Sequence, residues 1–184
     1  MQARKVTQDV LMFVWFKHGV IPEKPTPELS FVPEITAEFL NNLCVVVWIE
    51  SSCNEYVWGD FLKNHFERMT KTPYLFANYF AYASYILIEE AKENAHACFV
   101  EILSLVTHFA LHCWQEKEEE EKFLNSCVDL FCAFFDKELC KKFEEQGRWQ
   151  NFNEYLKNQG SLKVIKNHIH AQQNLRIETI YRIY

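Results

Sequence analysis

An all-α bundle is the fold this sequence predicts, and three observations carry the prediction. Only 4 Gly and 5 Pro occur in 184 residues, and Pro22, Pro25, Pro27 and Pro33 share one loop. Elsewhere apolar residues recur at the three-to-four-residue spacing of a helix face, with cap and stop residues between the runs. No stretch alternates polar and apolar residues as a half-buried strand would. A hydrophobic content of 49% with 16 Phe is enough to close one core, so residues 1–184 are read as a single ordered domain.

The elements follow in order. A first helix runs from about Lys5 to His18, with Val6, Val10, Leu11, Phe13 and Val14 on its apolar side and Gly19 as terminator. After the Pro-rich loop, Thr36 caps a second helix that ends near Glu50. Ser52 with Glu55 three residues on reads as a capping box, opening a third helix to Met69. Thr72-Pro73 is a cap followed by proline at the first helical position, and starts a fourth helix that turns charged at Glu89 to Asn94. The fifth, His96 to Gln115, is apolar over most of its circumference, as a central core helix should be. Its polar residues Glu101, Ser104, His108 and His112 fall on one narrow stripe, expected to face solvent, a groove or a partner. A sixth helix spans Glu119 to Phe135, a seventh Asp136 to Gln146, and an eighth Trp149 to Asn158. Ser161 then caps an amphipathic extension with Leu162, Ile165, Ile169, Ile177 and Ile180.

Composition narrows the function. A net charge of −6 lacks the basic face a nucleic-acid binder needs. The Glu118–Glu121 run reads as a solvated first helical turn. No signal peptide fits before Lys17, and no run reaches the ~20 apolar residues of a membrane span, so the expectation is a soluble protein. The 7 Cys are odd in number, form no CxxC pair and mostly sit in apolar helical patterns, which reads as reduced core residues of a cytosolic compartment. No phosphate-cradling glycine loop, nucleophile elbow or His-Glu-x-x-His motif occurs. Neither an enzyme nor a cofactor is expected.

The most specific stretch is Phe143 to Leu156. A charged helix stops at Gly147, and Trp149 opens a short helix with Phe152 and Tyr155 or Leu156 on one face. Gly147-Arg148-Trp149 with Phe152 resembles the second homology motif of the Bcl-2 (B-cell lymphoma-2) family of apoptosis regulators, in which Gly-Gly-Trp precedes a short helix. The length from Ala110-Leu111 to Trp149 matches that family without a gap. Gln8 to Gly19 is similar to its N-terminal homology helix, and Gly59-Asp60 to the Gly-Asp of its homology-3 (BH3) helix. The resemblance covers about residues 5–158 and implies a bundle of about eight helices around a hydrophobic central one. It also implies an apoptosis regulator, pro-survival in sense, that holds BH3 helices of pro-apoptotic partners in a surface groove. Carried over residue by residue, Leu62, Phe66 and Met69 would form one groove wall, Leu87 and Ala91 the other, and Val100 and Leu103 the floor. Glu90 would stand at the rim, with Gly147, Trp149 and Phe152 as the structural corner. A cytoplasmic location, peripheral at mitochondria, is implied too.

Three departures qualify that reading. The family's Asn-Trp-Gly-Arg motif aligns with Ala97-Cys98-Phe99-Val100, so the Arg that pairs with the Asp of a bound BH3 helix is absent. Glu55 stands where a Leu is expected. The stretch from Ser161 to Tyr184 is interrupted by Lys163, Lys166, Arg176 and Arg182, so the family's C-terminal span is not expected. Such divergence points to a viral or invertebrate member. Two rival readings stay open. One keeps the bundle but fills the groove, acting through a homodimer or another signalling partner. The other is a bundle metalloenzyme using His96, His108 and His112; one Glu93-x-x-His96 pair falls short of the two that a di-metal carboxylate site needs, and the cysteines lack the paired spacing of a zinc site.

Overall fold

The computed structural model describes residues 2–26, 32–91, 94–116, 121–164 and 167. Pro27, Glu93, three of the four glutamates at 118–121 and all of 168–184 lie outside them, as does most of the expected C-terminal amphipathic segment.

Helix α1 (Gln2–Lys17) buries Val6, Val10, Leu11, Val14 and Trp15. It closes as the sequence predicts. Gly19 takes φ 74, its N–H donates to Phe16 O, and Val20 N–H donates to Trp15 O at 2.9 Å, which is a Schellman termination. Exposed Arg4 pairs with Asp129 of a later helix.

The expected second and third helices are one. Helix α2 (Ala37–Met69) runs 33 residues without a break, or about 50 Å at the helical rise. Its Thr36 cap is as expected, Oγ1 accepting from Phe39 N–H at 3.1 Å. The Ser52 capping box does not form. Ser51 and Ser52 instead donate back to Trp48 O, each at 2.9 Å. Back-bonding of this kind bends a helix but leaves its backbone ladder intact, and no Gly or Pro stands nearby to stop it.

Helix α3 (Pro73–Glu90) starts on Thr72, whose Oγ1 accepts from Leu75 N–H at 3.1 Å. It buries Phe76, Phe80, Ala83 and Ser84 and lies more on the following two helices than on α2. Helix α4 (Ala95–Glu116) is the central rod and packs against every other helix, reaching the last one through ring contacts of His96 and Phe99. Asn94 Oδ1 accepts from the N–H groups of His96 and Ala97, both at 3.0 Å. Gln146 Oε1 accepts from Ala95 N–H at 2.8 Å, so the distant glycine corner helps cap this helix. Two expectations about α4 change. It is long and apolar enough to cross a membrane by length and composition, contrary to the sequence count; 78% of its most apolar window is buried inside the bundle. Its polar stripe is only partly open: Glu101 and His112 are half-buried, while Ser104 and His108 are buried, with Ser104 Oγ donating to Val100 O at 2.7 Å.

Helix α5 (Lys122–Phe134) passes into a π-helical turn (Phe135–Leu139) and then α6 (Cys140–Glu145), so the expected boundary at Asp136 is a bulge within a continuous helical path. The wider turn keeps Phe134, Phe135 and Leu139 all buried. Helix α7 (Arg148–Lys157) completes the set, giving seven α-helices among the described residues where eight were expected.

Candidate functional site

Two regions of the fold are candidates for a functional site, and both are built on aromatic rings. The first is the corner at Gly147. Its φ of 90 is a left-handed conformation that glycine adopts at little cost. An added Cβ there would also collide with the amide of Asn151, which donates to Gln146 O at 2.9 Å. The turn swings Trp149 inward to 8% exposure. Its ring lies 5.0 Å from Phe143 and 5.8 Å from Phe99 of α4, while Phe152 lies 5.0 Å from Phe99 and 5.6 Å from Phe39 of α2. His96 stacks on Phe152 at 5.3 Å. Gly147, Trp149 and Phe152 thus converge as expected, in a knot joining α2, α4, α6 and α7. An adjacent cleft of about 670 Å³ lies between this corner, the N-terminus of α1 and the π turn.

The second region is an open trough of about 620 Å³ between the C-terminal half of α2 and α3. From α2 it takes Trp58, Phe61, His65 and Arg68, spaced as one helical face; from α3 it takes Leu75, Asn78, Tyr79, Tyr82 and Ile86. The two helices form an antiparallel hairpin through Thr70–Thr72. Phe61 accordingly stacks on Tyr82 at 6.3 Å, and His65 faces Tyr79 at 5.3 Å. Beneath them, Phe109 of α4 supports Trp58 at 6.0 Å and Phe61 at 6.1 Å. Tyr82 stays 59% exposed, so an aromatic face remains open to water.

The groove residues carried over by resemblance lie elsewhere. Leu62, Met69, Val100 and Leu103 are core residues, none more than 3% exposed. Phe66, Leu87 and Ala91 are half-buried and Glu90 is exposed; none of the eight lines the trough. Phe66 stands edge-on to His112 at 5.6 Å. On α2 the carried-over residues stand one position on from those that line the trough, a rotation of about 100° about the helix axis. A signal for the observed lining was present: Trp58, Phe61, His65 and Arg68 recur at intervals of three, four and three, opposite Leu75, Tyr79, Tyr82 and Ile86.

The polar groups of α4 sort by depth. Burial pushes the His108 imidazole down to about 4, partly offset by the Glu55 carboxylate at 3.6 Å. The Nε2 of His108 has no hydrogen-bond partner. One turn before the Ser104 position, Glu101 is pushed up to about 7, chiefly by burial and then by Glu50 and Glu90. As for metal, His96 sits 12 residues from His108, or about 18 Å along the helix. Among the described residues no group of three or more His, Cys, Asp or Glu could hold an ion. All seven thiols are free; Cys53 is exposed and Cys140 half-buried, the rest buried.

No protein-family model matches the chain, and no curated protein matches it. Among solved structures, the crystal structure of chicken BOK matches with a TM-score of 0.58 at 15% identity, over 83% of this chain and 93% of that one. At that identity the likeness speaks for the fold alone, an all-α bundle of the Bcl-2 type.

Proposed function

We propose that this protein is a regulator of programmed cell death that acts by binding, holding an amphipathic helix of the BH3 type in the α2/α3 trough. The observation that supports it best is the trough itself: an exposed aromatic channel on a Bcl-2-type bundle, of the form that helix-in-groove recognition requires. From Trp58 to Arg68 the wall spans about 15 Å, the length of roughly three helical turns. Four apolar anchors buried there contribute about 6–12 kcal/mol in gross terms. Ordering the ligand and losing its free motion take back much of this, so apolar burial alone leaves a weak affinity, on the order of millimolar. The same reading gives a pro-survival role by sequestration, with the protein in the cytoplasm and in part at mitochondria. Calorimetry of the full chain against a panel of BH3 peptides tests the binding, and an absence of heat with every peptide overturns it. A cell-survival assay under a death stimulus, with fractionation of the same cells, tests the rest.

One observation favours a second reading. Leu62, Met69, Val100 and Leu103 fill the place where the carried-over groove would lie. On that reading the groove is closed and the protein acts as a dimer or on another signalling partner. Sedimentation of the full chain separates the two: a stable dimer with no peptide binding supports the second.

A further inference from the structure

The chemistry of the trough's walls says more about its ligand than its shape does. Among the lining residues there is one full cation, Arg68, one imidazole, His65, and no carboxylate. His65 is held between the rings of Phe61 at 4.7 Å and Tyr79 at 5.3 Å. Arg68 is different. It is exposed, and among the described residues its guanidinium makes no hydrogen bond or ion pair, although the neighbouring cations are engaged or lie outside the lining: Lys63 reaches Glu55 at 3.7 Å. The antiparallel register sets Arg68 beside Leu75 at the closed end of the hairpin, and Trp58 beside Ile86 at the open end. One end of an otherwise aromatic channel therefore carries an unneutralised fork of N–H donors.

Resting on the helix-binding reading above, we infer that Arg68 selects the ligand: the trough takes an amphipathic helix bearing a carboxylate at the end that lies over the α2–α3 turn. Apolar anchors along the channel supply attraction without fixing register, since one ring face accepts another at several offsets. A single guanidinium–carboxylate contact at one end fixes both direction and register. A ligand with a basic residue there would meet a like charge, which is a penalty and so a source of discrimination.

The test uses helical peptides with apolar residues at i, i+4, i+7 and i+11 and a single Asp before the first or after the last anchor, each with its Asn and Lys analogues. They are titrated into the full chain and into its Arg68→Ala, Arg68→Lys and Arg68→Glu variants. Because Arg68 is exposed, these variants are expected to keep the wild-type melting temperature, which is measured alongside. The expected result is that Asp→Asn weakens binding to the wild type about five- to tenfold and leaves binding to Arg68→Ala unchanged within about twofold. Arg68→Glu should prefer the Lys peptide. Binding of Asp and Asn peptides alike to every variant overturns the role of Arg68 and leaves the helix-binding reading standing. No binding of any peptide to the wild type overturns both.

Discussion

Lowering the pH from 7 should destabilise this bundle through His108. The ring is 8% exposed and its pKa is held near 4, against 6.5 for a free imidazole, because burial in the α2/α4 contact disfavours the charged form. Above pH 6.5 the side chain is neutral in both folded and unfolded chains, so it contributes no pH dependence. As the pH falls below 6.5 the unfolded chain takes up a proton that the folded one refuses, and stability falls until the folded pKa is reached. From these values the loss is about 0.8 kcal/mol at pH 6 and about 2 kcal/mol at pH 5, approaching about 3.4 kcal/mol below pH 4. The groups facing the ring are Glu55 from α2, His112 from α4 and His18 at the end of α1. Glu55 favours the proton and the two histidines oppose it. Glu101 titrates in the opposite sense over the same range, so the wild-type curve alone does not isolate the effect. Urea unfolding of the wild type and of His108→Gln, followed by far-ultraviolet circular dichroism at pH 7, 6, 5 and 4.5, does. The stability difference between the two should shift against the wild type by about 2 kcal/mol between pH 7 and 5. A difference independent of pH would refute the claim that this imidazole is buried neutral.

Three further outcomes are expected. Replacing Gly147 by Ala should cost about 1–2 kcal/mol in thermal unfolding, because the left-handed turn and the Asn151 amide both resist a Cβ. For Glu101, whose folded pKa of about 7 lies above the unfolded value near 4.5, stability is lost as the pH rises through 7. Glu101→Gln should accordingly stabilise by about 1–2 kcal/mol at pH 8, after a discount for its partial exposure, and by little at pH 4. A nuclear magnetic resonance titration of its carboxyl carbon reads the pKa directly. Tyr82→Ala should leave the melting temperature nearly unchanged, since the ring is 59% exposed, yet weaken binding of a BH3 peptide about tenfold by calorimetry.

Local chemistry was the legible part of this fold. The Gly19 stop, the Thr36 and Thr72 caps and the Gly147–Trp149 corner all act within a few residues, and each forms as its sequence indicates. Where two local signals compete, the sequence misleads. Ser52 with Glu55 has the pattern of a cap, but a serine hydroxyl satisfies the preceding carbonyl equally well, and the flanking residues of α2 all tolerate a helix. The bulge at Phe135–Leu139 is not encoded by any stop residue; it follows from the need to bury Phe134, Phe135 and Leu139 together. The stripe of α4 shows a further limit. Periodicity says that Ser104 and His108 share a face, but not that α2 covers it. For the trough, both walls carry helical stripes, and choosing between neighbouring stripes on α2 needs the position of α3.

The unbroken course of α2 bears on how the trough adapts. Its N-terminal half is locked by Phe39 into the rings around Trp149, while its C-terminal half forms one bank of the channel. No break separates the two halves, while α3 is tied on one side by the short Thr70–Thr72 link and rests on the α4–α5 layer. If the trough holds a helix as proposed, a wider guest would be met by movement of α3 across Phe123 and Phe134 and not of α2. On that reading, substitutions at Phe76 or Phe80, which touch no guest, would change the breadth of ligands tolerated.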